Sequence, residues 1–172
     1  MENIINYIIK LFSGLTGSSF GREIIVFIIS LMPVLELRGG LLAAALLKVN
    51  PVVGYIVSII GNIIPVPFIL LFINKILDWM EKSKINFFHK VASWIRNKAN
   101  KNKGKIEKYG YIGLILFVGI PLPGTGAWTG CLVASLLNLD RKKSFFCTFA
   151  GIIIASIIMM IISYGILGNL IK

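Results

Sequence analysis

The sequence predicts an all-α integral membrane protein with two inverted repeats, each a re-entrant helical hairpin followed by a transmembrane helix, plus interfacial amphipathic helices. Three observations predict this fold class. The 172-residue chain has a mean hydropathy of +0.85 and only 15% charged residues, whereas soluble domains carry about 25%. Two stretches without charge are long enough to cross a bilayer. Two other apolar regions are each interrupted by a short, polar, glycine-rich segment.

The first half begins with a short amphipathic segment and a divided apolar region. Residues 3–12 have apolar positions at helical spacing but are too short to span, which indicates an interfacial helix. Residues 24–35 and 41–47 are apolar arms around a polar tip, Glu36-Leu37-Arg38-Gly39-Gly40. We expect a re-entrant hairpin, because Pro33 and the glycine pair disfavour the alternative of one long helix with a charged pair midway.

The second half repeats this order of short arm, polar tip, short arm and full span. The first span is 51–74, and the second half has arms at 109–120 and 131–139, a tip at 121–130 and a span at 144–170. Pro65 and Pro67 should kink or divide the first span.

A shift of 90 residues aligns the two halves without a gap. It matches Pro33 with Pro123, Gly40 with Gly130, and Gly61 with Gly151. These matches predict an internal repeat within a single membrane domain, 1–172. The parts are a first repeat at 20–74, a basic amphipathic connector at 75–108 and a second repeat at 110–164.

The connector carries most of the excess positive charge. Ten basic and three acidic residues give it +7 of the chain's +11. One helical face is apolar, which predicts a helix on the membrane surface, and 97–105 should be a flexible polar connector. The apolar face consists of Ile85, Phe88, Val91, Ala92 and Ile95. Nucleic-acid binding is the alternative, but contact with anionic lipid headgroups is commoner for a loop between spans, so we expect no nucleic acid.

The distribution of charge also predicts the orientation in the plasma (bacterial inner) membrane. By the positive-inside rule, residues 75–108 and Arg141-Lys142-Lys143 are cytoplasmic. The two spans of this multi-pass protein then run in opposite directions, and the two tips approach the midplane from opposite faces. Inverted repeats with broken helices are typical of transporters, although a channel can share the arrangement.

Glu36 and Arg38 are the charged residues expected deep in the apolar zone. One charge at a helix centre costs about 2.5–3.5 kcal/mol, so such residues pair, face a wet cavity or function. Arg38 suits a carboxylate or phosphate, and Glu36 is a candidate proton carrier. The alternative is an ion pair that only stabilises the hairpin.

The other candidate site residues are polar, small or kinked positions of the tips and the first span. Close backbone approach is possible at the glycines, namely Gly39, Gly40, Gly124 and Gly126, and the chain bends at Pro121 and Pro123. Thr125 offers a hydroxyl, and Trp128 either stacks on a ligand or fills the bundle. Asn62 supplies a polar contact to the substrate or an interhelical hydrogen bond.

Several classes of function are disfavoured. Cys131 and Cys147 cannot form a disulfide framework, and His89 is the single histidine. We therefore expect no metal site, no cofactor and no enzyme. The N-terminus does not resemble a cleavable signal peptide.

The two tip motifs resemble a known family. Residues 33–40 (PVLELRGG) and 121–130 (PLPGTGAWTG) together are similar to the small multidrug export protein family, whose layout is similar to that of DedA-like membrane proteins. The resemblance covers roughly residues 20–165. It implies drug efflux or proton-linked movement of lipids, with Glu36 and Arg38 as the ionisable site and the second tip as its counterpart.

The predicted function is that of a small, proton-linked secondary transporter. Its substrate would be amphiphilic, either an anion similar to a lipid phosphate or a lipophilic drug. The alternatives are an uncoupled lipid scramblase or pore, and a non-transport assembly protein that recruits partners through the basic loop. The polar tips would need sealing, which favours a homodimer.

Overall fold

The computed structural model describes residues 2–122 and 124–166, and these residues are helical with short connections and no strand. The α-helices are α1 (Glu2–Leu11), α2 (Ser19–Leu31), α3 (Glu36–Leu46), α4 (Pro51–Ile63), α5 (Pro65–Lys82), α6 (Asn86–Gly119), α7 (Ala127–Leu136) and α8 (Arg141–Met160). A 3₁₀ turn, Ser13–Leu15, follows α1, and a π-helical turn, Ile161–Ile166, extends α8. The all-α prediction is confirmed for this part of the chain.

Two helical stretches are long and apolar enough to cross a membrane, namely Pro51–Lys82 and Arg141–Gly165. The rest of the chain buries less than half of each, which leaves apolar surface for lipid. The first stretch is divided as predicted, since α4 ends at Ile63 and α5 begins at Pro65. Pro65 has no backbone N–H to donate to a carbonyl of the preceding turn.

The first polar tip is helical, and the break lies just before it. Residues 32–35 separate α2 from α3, and Met32 is extended (ψ 136°) because Pro33 disfavours a helical predecessor. Glu36 then begins α3 with a φ of 51°. The prediction that residues 36–40 separate the two arms is therefore wrong by about one helical turn.

The basic connector is helical. The span of α6, Asn86–Gly119, is two helices joined at a kink at Gly110, where φ is 57° and ψ is −132°. The prediction of a flexible 97–105 segment is wrong, because residues such as Lys and Ala that favour helix outweigh the single Gly104 there. Arg96 ties this helix to α5 through Asp78 (2.7 Å) and Glu81 (2.5 Å).

The predicted apolar face of the connector is only partly covered by the protein. Ala92 is buried and Ile95 is partly buried against the core, whereas Ile85 is exposed. Trp94 and Phe87 beside this face are exposed too. The amphipathic helix α1 buries Ile5 and Ile8 while Tyr7 and Leu11 stay outside.

The turns that close the two divided regions have the same backbone geometry. Lys48 and Asn138, 90 residues apart, each have a φ of 53°. In each turn the next amide donates to a carbonyl five residues back, from Val49 to Ala44 (2.9 Å) and from Leu139 to Ala134 (3.0 Å). A capping side chain follows at the matched positions, Asn50 and Asp140. The aligned register is thus reflected in local structure.

Matched glycines also allow the helices to approach closely. A Cβ at Gly61 of α4 would lie 2.8 Å from the Phe27 carbonyl oxygen of α2. A Cβ at Gly151 of α8 would lie 2.9 Å from the Ile115 carbonyl oxygen of α6 and 2.6 Å from Val118 Cβ. The span of each half therefore packs on the first arm of that half through a glycine in the same register.

Replacing Gly151 by alanine should lower stability by about 1–3 kcal/mol, because the neighbouring backbone cannot move aside. Gly104→Ala is the matched control, since a Cβ there would meet nothing within 4 Å and alanine favours helix by up to about 1 kcal/mol. Thermal unfolding of both variants in detergent checks this. Equal midpoints would contradict the proposed packing.

Candidate functional site

Glu36 joins the two tips through the first turn of α7. Its side chain is buried (4% exposed), and its two carboxylate oxygens accept from the backbone N–H groups of Ala127 and Trp128, each at 3.0 Å. The first N–H groups of a helix have no partner within that helix and carry partial positive charge. Glu36, on α3, therefore caps a helix of the other half.

Arg38 makes the opposite contact with the end of α6. Arg38 is a buried residue (7% exposed). Its guanidinium donates to the carbonyl oxygens of Leu122 and Ile120, the latter at 3.4 Å, and to Thr125 Oγ1 at 2.9 Å. Each of these carbonyls also accepts a backbone amide, Ile120 from Leu122 (2.8 Å) and Leu122 from Thr125 (3.2 Å), so Arg38 binds the second lone pair. One turn of α3 thus satisfies the free donors at the start of α7 and adds a cation at the end of α6, where it is favoured.

The backbone of the second tip is shaped to receive these side chains. Gly126 has a φ of 129°, and a Cβ there would lie 2.1 Å from Glu36 Oε2. The Thr125 hydroxyl, which accepts from Arg38, donates in turn to the Leu122 carbonyl at 2.7 Å. Gly124 also has a positive φ (83°) but faces open space.

The remaining predicted site residues have different environments. Gly39 and Gly40 lie inside α3 and allow it to pack on α2, since a Cβ at Gly40 would lie 1.8 Å from Ser30 Oγ. Pro121 lies in the connection between α6 and α7, and Pro123 lies outside the described residues. The Trp128 side chain is partly buried, and its Nε1 has no hydrogen-bond partner among the described residues.

A narrow void lies behind the two charges. Asn62 of α4 lines it together with Glu36 and Arg38, and Asn62 Oδ1 has no partner in the described part of the chain. The void is too tight to admit a water molecule. Among the described residues, Glu36 and Arg38 therefore do not face a wet cavity in this structure, because the two tips bind each other directly.

An apolar groove of about 210 Å³ lies beside the junction. The lining residues come from the connection between α2 and α3 and from α5, α6 and α7. They include Val34, Ile73, Trp94, Trp128 and Leu132. The sequence indicated Trp128 but not the aliphatic residues, because the isolated pattern of an apolar helix does not tell which of its faces borders a groove.

The arrangement has a clear chemical consequence. Glu36 holds the second tip through hydrogen bonds that depend on its negative charge, so gain of a proton would weaken these bonds.

Among the residues that the structure describes, no cluster of histidine, cysteine and carboxylate side chains could hold a metal ion.

A family model described as "Putative small multi-drug export protein" matches residues 36–158. The match begins at Glu36 and includes both sides of the junction. No curated protein and no solved structure matches the chain. The match and the two apolar helices indicate a membrane protein of the export class rather than an enzyme.

Gly126→Ala should be more destabilising than Gly124→Ala. Both glycines have a positive φ, and Gly126 (φ 129°, ψ −175°) lies in a region of backbone conformation that is essentially confined to glycine. The Gly126 variant should lose about 1–3 kcal/mol more, because this strain adds to displacement of the Glu36 carboxylate from its two donors. Unfolding midpoints in detergent compare the two directly, and equal losses would show that the junction adds no stability.

Proposed function

The chain belongs to the small multi-drug export protein family, and from that premise we propose that it is a proton-linked secondary exporter of a lipophilic substrate. The observation that carries this proposal is the reciprocal junction between the tips. Two buried charged residues on one turn of α3 bind the other half of the chain. Glu36 binds the backbone at the start of α7, and Arg38 binds the segment just beyond the end of α6.

Glu36 would act as a latch that a proton opens. A carboxylate that accepts two backbone N–H groups makes charge-assisted bonds, which are roughly twice as strong as neutral ones. Protonation removes the charge and frees the first turn of α7 to move away from α3. Separation of the two tips would widen the void beside Glu36. The junction would then be open alternately to one face of the membrane and to the other.

Arg38 would keep the tips in register rather than bind the substrate. Its donors point to Ile120, Leu122 and Thr125, so an anion would have to displace them. This favours a lipophilic drug over the other predicted substrate, an anion similar to a lipid phosphate. It also gives Arg38 a reason to remain charged inside an apolar bundle.

The apolar groove beside the junction is the proposed substrate site. It offers aromatic and aliphatic surface from Trp94, Trp128 and Leu132, which suits a flat lipophilic molecule. Because Trp128 contributes its amide to the latch and its ring to the groove, movement of α7 would change both together. Substrate release and proton binding are thereby linked.

The membrane arrangement remains part of the proposal. The re-entrant, inverted hairpins would place the junction near the midplane, with 75–108 and Arg141–Lys143 on the cytoplasmic side among anionic headgroups. The matched turns at Lys48 and Asn138 support a repeated unit. The DedA-like resemblance and the homodimer stay predictions.

Glu36→Gln should strongly reduce proton-driven export. In proteoliposomes with an imposed pH gradient, the rate of ethidium export should fall about tenfold, which corresponds to about 1.4 kcal/mol of activation free energy. Glu23→Gln, which changes a carboxylate of α2 outside the junction, should export as the wild type does. Unchanged export by Glu36→Gln would contradict the latch, and wild-type export that persists after collapse of the gradient would favour the uncoupled pore.

Filling the groove should impair substrate binding without loosening the fold. Ile73 of α5 lines the groove, and Ile73→Trp should raise the KM for ethidium export about fivefold, a cost of about 1 kcal/mol. Ile76→Trp is the control, because Ile76 lies on the same helix and is exposed. The same KM for both variants would place the substrate elsewhere.

A further inference from the structure

We propose that protons reach Glu36 along a line of polar side chains on α4, from the membrane face at which α4 begins. This α4 polar line consists of Tyr55, Ser58 and Asn62 with Ser156 of α8. The proposal rests on the proposed function and adds a route and a direction to it.

The outer end of the line is an open groove. Val52 and Tyr55 of α4 line it together with Ile157, Met160 and Ile161 near the end of α8, and it encloses about 300 Å³. By the distribution of positive charge, this end of α4 faces away from the cytoplasm. Tyr55 is therefore the first residue of the α4 polar line that a proton from outside would meet.

The next step crosses from α4 to α8. The hydroxyls of Tyr55 and Ser156 are joined by a hydrogen bond of 2.9 Å, and Ser156 is fully buried. Hydroxyl groups both donate and accept, so they can pass a hydrogen-bond chain onward. The buried end of the groove thus carries a group able to order water or relay a proton.

Two buried polar side chains continue the line without partners. Ser58 is fully buried and Asn62 is 2% exposed, and neither Ser58 Oγ nor Asn62 Oδ1 has a hydrogen-bond partner in the part of the chain that the structure describes. A buried polar group without a partner lowers stability. Both oxygens can accept a hydrogen bond from water that enters beside them.

The inner end of the line is the void at the junction. Asn62 lines the void together with Glu36, and it is seven residues from Tyr55, which is about 10 Å along a helix. On α8, Ile152 and Ala155 line the same void, and the adjacent Ser156 bonds to Tyr55. Both helices therefore lead in the same direction, from the open groove to Glu36.

Glu36 interacts electrostatically with Arg38 on α3 and with the Cys131 thiol on α7. The remaining lining of the void is apolar and consists of Leu37, Val118, Ala127, Ile152 and Ala155. Opening of the junction would let water enter beside Asn62, and the proton would travel on that water to the carboxylate.

Cysteine accessibility tests the route without any transport assay. In a chain with Cys131 and Cys147 replaced by alanine, the Ser58→Cys and Asn62→Cys variants are treated in proteoliposomes with a charged, impermeant methanethiosulfonate reagent. Val52→Cys identifies the membrane face at which the open groove lies. Ile56→Cys is the lipid-facing control, because Ile56 is exposed on the same helix. We expect both test cysteines to react from the face of Val52→Cys only. Reaction from the opposite face, or from neither, overturns the route.

Proton uptake gives the second readout. Asn62→Leu should slow proton entry about tenfold in vesicles that contain a pH-sensitive dye, whereas ethidium binding should be unchanged. Asn74→Leu is the matched control, because Asn74 is a partly buried amide that bonds elsewhere, to the Ser135 carbonyl at 2.9 Å. If Glu36→Gln blocks uptake and Asn62→Leu does not, the route is overturned and the proposed function stands. If the wild type takes up no protons, both are overturned.

Discussion

The structure depends on one constraint, which is that a chain broken inside an apolar bundle must satisfy the backbone groups that the break exposes. The second tip leaves amides at the start of α7 and carbonyls beyond the end of α6, and a single turn of α3 bonds to both. Glu36 and Arg38 act on opposite helix ends rather than simply on each other. Each bond between a charged and a neutral group contributes about 1.5–3 kcal/mol, so the charges that are most costly to bury also hold the two halves together.

The close packing around the junction leaves no open path through it among the described residues. Glycines bring α3 against α2 and the spans against their arms, and the void behind Glu36 is too tight for water. The proposed transport therefore requires a change of conformation. In that proposal the change begins at the bonds of Glu36, and the apolar groove shares Trp128 with them.

Sequence patterns predict the parts of this molecule that local chemistry determines. Hydropathy predicts the all-helical membrane class, Pro65 predicts the division of the first span, and the rarity of charge in the apolar zone singles out Glu36 and Arg38. The sequence misplaces the register of the first tip, because Gly39 and Gly40 are typical helix breakers but serve helix packing in this structure. The partners of the two charges lie more than 80 residues away on backbone atoms, and no pattern of side chains identifies a backbone partner at that distance. The helical 97–105 segment was missed because its polar composition suits both a loop and an exposed helix.

The most direct test of the central claim is hydrogen exchange at the two backbone amides that Glu36 accepts. Amides of Ala127 and Trp128 that donate to a buried carboxylate should exchange slowly in the wild type. They should exchange much faster in Glu36→Gln, while the amide of Gly130, which donates within the chain to the Gly126 carbonyl at 2.8 Å, should change far less. If the Ala127 and Trp128 amides exchange equally fast in the wild type and the variant, Glu36 does not hold the second tip and the account is wrong.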